Sequence, residues 1–303
     1  MRNVGVIGQI CRRGALAIGL ACTVCAAPGC VLGNRPTLVH RGSRPEKITF
    51  YLDGAGNYGF GKESVPLGLA DGGYQGHVEH FIWTTYLGAV VDQISLQHNR
   101  REGAKLARRI EEHLSRYPDG EVNIIALSAG TGVAVFALET LRPGLQVDNV
   151  VLLSSSLSAD YDLTAALRHV RGGMWFFWSP NDPILQGVVP IVGTVDRSPE
   201  DSPPAGTWGA HLPRGASETT RELYRKRVHN QQWTPDSELG PLRLRHAGSI
   251  SRGVIRSRVA PILVARARPA TQPASPPTPR PTFTTPQAPP VTPGSRRGNT
   301  RDY

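Results

Sequence analysis

Beyond residue 30 the chain has no cysteine, since Cys11, Cys22, Cys25 and Cys30 account for all four. A body without a thiol has no disulfide, no cysteine nucleophile and no thiolate-bound metal. Neither a metal nor a cofactor is expected. The apolar stretch from Ala15 to Ala27 is shorter than the roughly 20 residues a helix needs to cross a bilayer. The body also lacks the net positive charge that the formal +10 of the whole chain suggests. Residues 1–30 hold three arginines and no acid, and residues 241–303 hold 11 arginines against Asp302. Residues 31–240 are left with 20 basic and 23 acidic groups. That balance removes the electrostatic footprint of a nucleic-acid binder, and no nucleic-acid partner is expected.

The first 30 residues read as an export signal, with Arg12 and Arg13 followed by the short apolar run and then small residues. Cys30 in Ala27-Pro28-Gly29-Cys30 and Cys22 in Gly19-Leu20-Ala21-Cys22 resemble a bacterial lipoprotein lipobox. Neither has leucine three residues earlier, and ordinary cleavage after Ala26 or Ala27 is the alternative. The expected destination is the cell envelope, periplasmic or lipid-anchored to a membrane, or the exterior. Residues 31–46 read as a linker, residues 47–267 as one globular domain and residues 268–303 as a tail. Ten prolines between Pro269 and Pro293, with almost nothing apolar between them, leave that tail without the means to form a core.

Within the domain, β-rich runs alternate with amphipathic ones. Strands are predicted at 48–52, 78–87, 122–127, 149–154, 174–179 and 242–245. Helices are predicted at 96–117, 131–141, 163–170 and 250–264, with one more near 217–229 inside a long irregular region, 181–240. Such alternation implies a mostly parallel sheet with helices on both faces.

Glu121 to Leu141 (EVNIIALSAGTGVAVFALETL) joins a buried strand, a turn of small residues around Ser128 and an apolar helix. A strand that reverses into a helix at a serine brings two backbones together, so its neighbours must be small. Ala126-Leu127-Ser128-Ala129-Gly130 resembles the G-x-S-x-G nucleophile elbow of the α/β-hydrolase superfamily, with Ala in place of the first Gly. The resemblance spans about Ile48 to Arg266 and implies an exported, serine esterase- or lipase-like member. It also implies the order Ser, acid, His. Asp182 follows the 174–179 strand, and Asp160 and Asp162, after the preceding one, are its rivals. His246 precedes the last helix and is followed by Ala247-Gly248-Ser249, whereas His98, His113, His211 and His229 sit less well. Ser128, Asp182 and His246 are thus the candidate triad. The oxyanion donors implied are the backbone N–H of Ala129 and that of Gly54 or Ala55, in the loop Asp53-Gly54-Ala55-Gly56. The family often carries His-Gly there, and an Asp53 in that place has to be paired or turned away.

The implied function is hydrolysis of a small-molecule or lipid-like ester through an acyl-enzyme. Trp83, Trp175 and Trp178 hint at an apolar acyl or aryl pocket, with core packing the alternative and the better-supported reading. The same residues would serve acyl transfer to another nucleophile. A non-catalytic, envelope-tethered binding protein that keeps the fold is a further alternative, one that suits the altered elbow and the proline tail.

Overall fold

The computed structural model describes residues 37–198, 202–233 and 246–265. The expected leader, with Cys22 and Cys30, and the proline-rich tail lie outside the described residues, as does the strand expected at 242–245.

Seven strands form one sheet: β1 (Thr37–His40), β2 (Arg44–Leu52), β3 (Gly76–His80), β4 (Glu121–Leu127), β5 (Val147–Leu153), β6 (Val170–Trp178) and β7 (Val228–Gln232). Their order is β1-β3-β2-β4-β5-β6-β7. β1 runs antiparallel to β3, and every other neighbouring pair is parallel. The central strands β4 and β5 are buried along their whole length; each carries two polar residues near its start, Glu121 and Asn123 or Asp148 and Asn149, and is apolar from there to its end.

Because side chains alternate across a strand, each face of the sheet has its own core. Phe50, Leu52, Ile124, Ala126, Val150 and Leu152 pack on one face. There they meet Leu106 and Ile110 of α3 (Leu96–Arg116) and Val133 and Ala137 of α4 (Gly130–Thr140). Tyr51, Ile125, Leu127, Val151 and Leu153 pack on the other face. Val65 and Leu69 of α1 (Ser64–Asp71) cover them, together with Ile255, Val259 and Leu263 near the end of the described chain. Helices on both faces of a mostly parallel sheet give the α/β-hydrolase type of fold that the sequence resemblance implies.

Several expectations are corrected. The presumed linker holds β1 and the start of β2, so one strand precedes the run at Ile48. The strand expected at 78–87 stops at His80. Beyond it the Phe81 N–H bonds to Tyr51 O, and Trp83 turns its indole N–H to Asp53 O, 2.9 Å away. Phe81 thus makes the last bond of the β2–β3 ladder, and both aromatic side chains are buried in the core. The region 181–240 holds the helix expected near 217–229, α9 (Glu218–Arg227), and beside it the unexpected α6 (Pro183–Gly187), α7 (Val189–Val192), α8 (Ala205–Trp208) and β7. β7 has little apolar content because it is an exposed edge strand, half-buried at best. Helices α2 (Ala89–Ile94) and α5 (Thr164–Arg168) complete the run before it. The helix expected at 250–264 is a 3-10 turn, Ala247–Ile250, followed by Arg252–Val254, a π-wound Ile255–Val259 and Ala260–Val264. Pro261 has no N–H for the helical ladder, which accounts for the irregular winding just before it.

Candidate active site

Paired residues place the ends of β2, β4, β5 and β6 side by side: Leu52 opposite Ala126, Leu127 opposite Leu153, and Leu153 opposite Phe177. The segments that leave those ends carry Asp53 to Gly56, Ser128, Ser154 and Asp182. In an open parallel sheet the carboxyl edge is where such segments converge.

Ser128 adopts φ 51°, a left-handed backbone unusual for a residue with a side chain. Its N–H bonds to Leu153 O at 2.9 Å and closes the strand, while its own C=O accepts from Thr131 N at 3.1 Å and opens α4. The small neighbours are a steric requirement. A Cβ on Gly130 would lie 2.4 Å from Asp53 O, and one on Gly54 would lie 3.3 Å from Ser128 Cβ. Ala126, where the family pattern has glycine, is fully buried within β4 opposite Leu52 and Leu152, so a methyl group fits there. Ser128 is 9% exposed, and no hydrogen bond of its Oγ is seen among the described residues.

Asp182 and His246 meet directly. His246 Nδ1 lies 2.8 Å from Asp182 Oδ1 and 2.7 Å from Oδ2, and since an ionised carboxylate only accepts, Nδ1 carries the proton. Nε2 is then the basic nitrogen, and His246 shares with Ser128 a cavity of about 110 Å³. No hydrogen bond joins their side chains; the cavity is what brings them together. Asp182 is fully buried and also caps α6, accepting from Ile184 N and Leu185 N, each at 3.1 Å. Burial alone would raise its pKa. The charge and bond of His246, the Leu185 N–H and the Ser154 hydroxyl outweigh burial and hold it below the usual carboxylate range. Ser154 is a contributor that the sequence reading missed. It follows β5 with φ 45°, and its Oγ also lies 3.4 Å from His246 O.

The rival acids are elsewhere. Asp160 accepts from the Ser202 hydroxyl, and Asp162 accepts from Thr164 N at 2.9 Å. Among the other histidines, the ring Nε2 of His98 bonds to Trp83 O, that of His113 to Glu46 O and that of His211 to Trp208 O, while His229 stacks on Trp175 at 4.1 Å.

The glycine loop after β2 is fixed by two buried carboxylates. Asp53 Oδ1 accepts from Tyr51 Oη and Gly54 N, both at 2.9 Å, and Oδ2 accepts from Gly59 N at 2.6 Å and Phe60 N at 3.1 Å. Burial nevertheless raises its pKa, because these donors offset only part of the lost hydration. Asp92 in α2, a second residue missed from sequence, accepts from Gly56 N at 2.8 Å and Thr84 Oγ1 at 2.6 Å through Oδ2. Through Oδ1 it accepts from Thr85 N at 2.7 Å and from Thr85 Oγ1. Asp53 is therefore paired, as the resemblance requires. Of the two candidate amides in this loop, that of Gly54 is occupied by Asp53. The Ala55 N–H has no partner among the described residues, and neither has that of Ala129, at the start of α4. Ala55 lines the cavity with Ser128, and Ala129 directly follows Ser128 in the chain.

The three tryptophans do not line this cavity. Trp83 is buried core, Trp175 packs against His229, and Trp178 lines a separate groove of about 730 Å³. The aromatic rings in the cavity wall are Tyr58 and Phe60, whose ring centres are 5.7 Å apart. Among the described residues, no group of three His, Cys, Asp or Glu side chains is placed to hold a metal ion.

No family profile matches the sequence, and no curated protein matches it. Among solved structures, it is similar to the esterase domain of a Rhodothermus marinus protein, at 13% identity over 72% of this chain and 88% of that one, with a TM-score of 0.37. An esterase from Pyrococcus furiosus matches at 13% identity over 72% and 82% of the two chains, with a TM-score of 0.40. The acylaminoacyl peptidase of Pyrococcus horikoshii matches at 10% identity over 78% of this chain and 40% of its own, with a TM-score of 0.37. Likeness at this level concerns the fold alone and assigns no role to any residue.

Proposed function

We propose that this chain is a serine hydrolase of the α/β-hydrolase type that cleaves esters through an acyl-enzyme. The observation that carries the reading is the Asp182–His246 bond at 2.7 Å, with His246 sharing one cavity with a serine held at φ 51°. A serine hydroxyl is a poor nucleophile until an imidazole takes its proton.

In the proposed reaction, Ser128 Oγ bonds to the ester carbonyl carbon as its proton passes to His246 Nε2. Asp182 holds Nδ1–H and balances the imidazolium that forms. The carbonyl oxygen, now negative, accepts from the N–H groups of Ala129 and Ala55. A donor of this kind is worth about 3 kcal/mol in the transition state. The bond to the alkoxy oxygen then breaks, and His246 returns the proton to the departing alcohol. A water molecule, deprotonated by His246, repeats the sequence on the acyl-enzyme and releases the acid and a free Ser128 hydroxyl.

Ser128→Ala tests the assignment. It is expected to fold normally while losing both turnover of p-nitrophenyl esters and labelling by a fluorophosphonate. Equal labelling of the two proteins would exclude Ser128 as the nucleophile. We also propose export, on the sequence of the first 30 residues alone, and mass spectrometry of the mature N-terminus is its test. An acylated Cys22 or Cys30 would establish a lipid anchor, and an unmodified N-terminus produced by cleavage after Ala26 or Ala27 would refute one.

A further inference from the structure

We infer that the cavity at Ser128 takes a short, uncharged acyl group, so that the substrates are esters of small neutral acids; this rests on the hydrolase reading above. The acyl group stays on Ser128 through both half-reactions, whereas the alcohol must leave and water must enter. The cavity beside the serine is therefore assigned to the acyl side.

That space is about 110 Å³. A cavity of about 150 Å³ accommodates benzene, so by proportion this one holds a chain of roughly two to four carbons. Phe60, Val90, Ile184 and Val188 make much of its wall. Among the described residues, His246 is the one titratable group of the wall besides the Tyr58 phenol, and no carboxylate, lysine or arginine lines it. Gln93 also borders it, but both ends of its amide are in use. Nε2 donates to Gly193 O at 2.9 Å, and Oε1 accepts from Ser156 Oγ at 3.2 Å. Asp53 and Asp92 stand behind the wall with each oxygen accepting two hydrogen bonds. A charged acyl chain would thus lie against a mostly apolar wall, with no charged side chain among the described lining residues besides His246 to pair it. Length is limited at Val189 and Val192, which the cavity shares with the wider groove of about 730 Å³.

The test is a series of p-nitrophenyl esters from acetate to decanoate, run beside fluorophosphonate labelling of the same full-length protein. Expected is a maximum in kcat/KM at acetate to butyrate and a fall of about tenfold or more by octanoate, as extra methylenes are forced into filled space. The hemisuccinate ester, similar in length to butyrate but anionic, should be slower by roughly a hundredfold. Val192→Ala, which opens the shared wall, should move the maximum to longer chains. Labelled protein that prefers octanoate, accepts the hemisuccinate equally well or keeps its maximum in Val192→Ala overturns the inference and leaves the hydrolase reading standing. Protein that is neither labelled nor active overturns both.

Discussion

Replacing Asp182 by Asn separates the two duties of this side chain. One is to cap α6 through Ile184 N and Leu185 N, and the other is to accept the proton-bearing Nδ1 of His246. Asn has a single acceptor oxygen. If that oxygen stays on the α6 amides, at the Oδ1 position 2.8 Å from Nδ1, the NH2 group takes the Oδ2 position, 2.7 Å from Nδ1, and as a donor there it favours a ring that accepts at Nδ1. The proton moves to Nε2, and the imidazole can no longer take one from Ser128. If the amide flips, the oxygen serves His246, but the NH2 group is pushed against two buried backbone donors. A lost cap costs about 1 kcal/mol, and a buried donor left unsatisfied costs about 1–3 kcal/mol. The first orientation is favoured by about 2 kcal/mol or more, which leaves the productive tautomer in only a few per cent of molecules. The anion that balances the imidazolium is lost as well. In the serine-protease template the same change lowers turnover about 10⁴-fold, and a comparable fall in kcat is expected here. Stability should hold to within about 2 kcal/mol, because the helix cap survives in the favoured orientation. The assay is hydrolysis of p-nitrophenyl acetate beside urea denaturation, with Asp160→Asn and Asp162→Asn as near-wild-type controls. A folded Asp182→Asn enzyme within tenfold of wild type would refute the acid assignment.

Asp92→Asn should uncouple the oxyanion loop. Whichever way the amide turns, its NH2 group faces either Gly56 N or Thr85 N, and one buried donor is stranded at about 1–3 kcal/mol. Because Gly56 adjoins Ala55, kcat should drop while KM changes little; an unchanged kcat would remove the loop from catalysis. His80 is buried with its Nε2 unpartnered among the described residues, and burial, with Lys62 assisting, lowers its pKa to about 4. Between pH 6.5 and about 4 the unfolded chain binds a proton that the folded chain refuses, so stability falls as pH drops through that window. The loss is about 1.4 kcal/mol per unit, roughly 3 kcal/mol in all. Denaturation midpoints at pH 7 and pH 4.5 measure it, and His80→Phe should flatten the difference. An equally steep fall in that variant would place the titration elsewhere.

The amino-acid sequence determined what depends on neighbours in the chain. The buried runs at 121–127 and 147–153, the amphipathic period of 96–116 and the small residues around Ser128 carry their structural reasons locally, so strand, helix and elbow were all legible. That Ser128, Asp182 and His246 lie near one another was legible as well, because each follows a strand or precedes a helix in an order that a parallel sheet converts into proximity. What depends on distant partners was not legible. β7 has no apolar signature of its own and is a strand because β6 offers it an edge. Asp92 looks like any helical acid until the fold sets it 2.8 Å from Gly56 N, 36 residues away in the chain. That Gly54 N is taken by Asp53 while Ala55 N is left without a partner among the described residues, and that Asp182 rather than Asp160 reaches His246 Nδ1, are decided by the fold. Patterns of periodicity and size are written along the chain, whereas the pairing of a single donor with a single acceptor is decided only when the tertiary structure brings them within 3 Å.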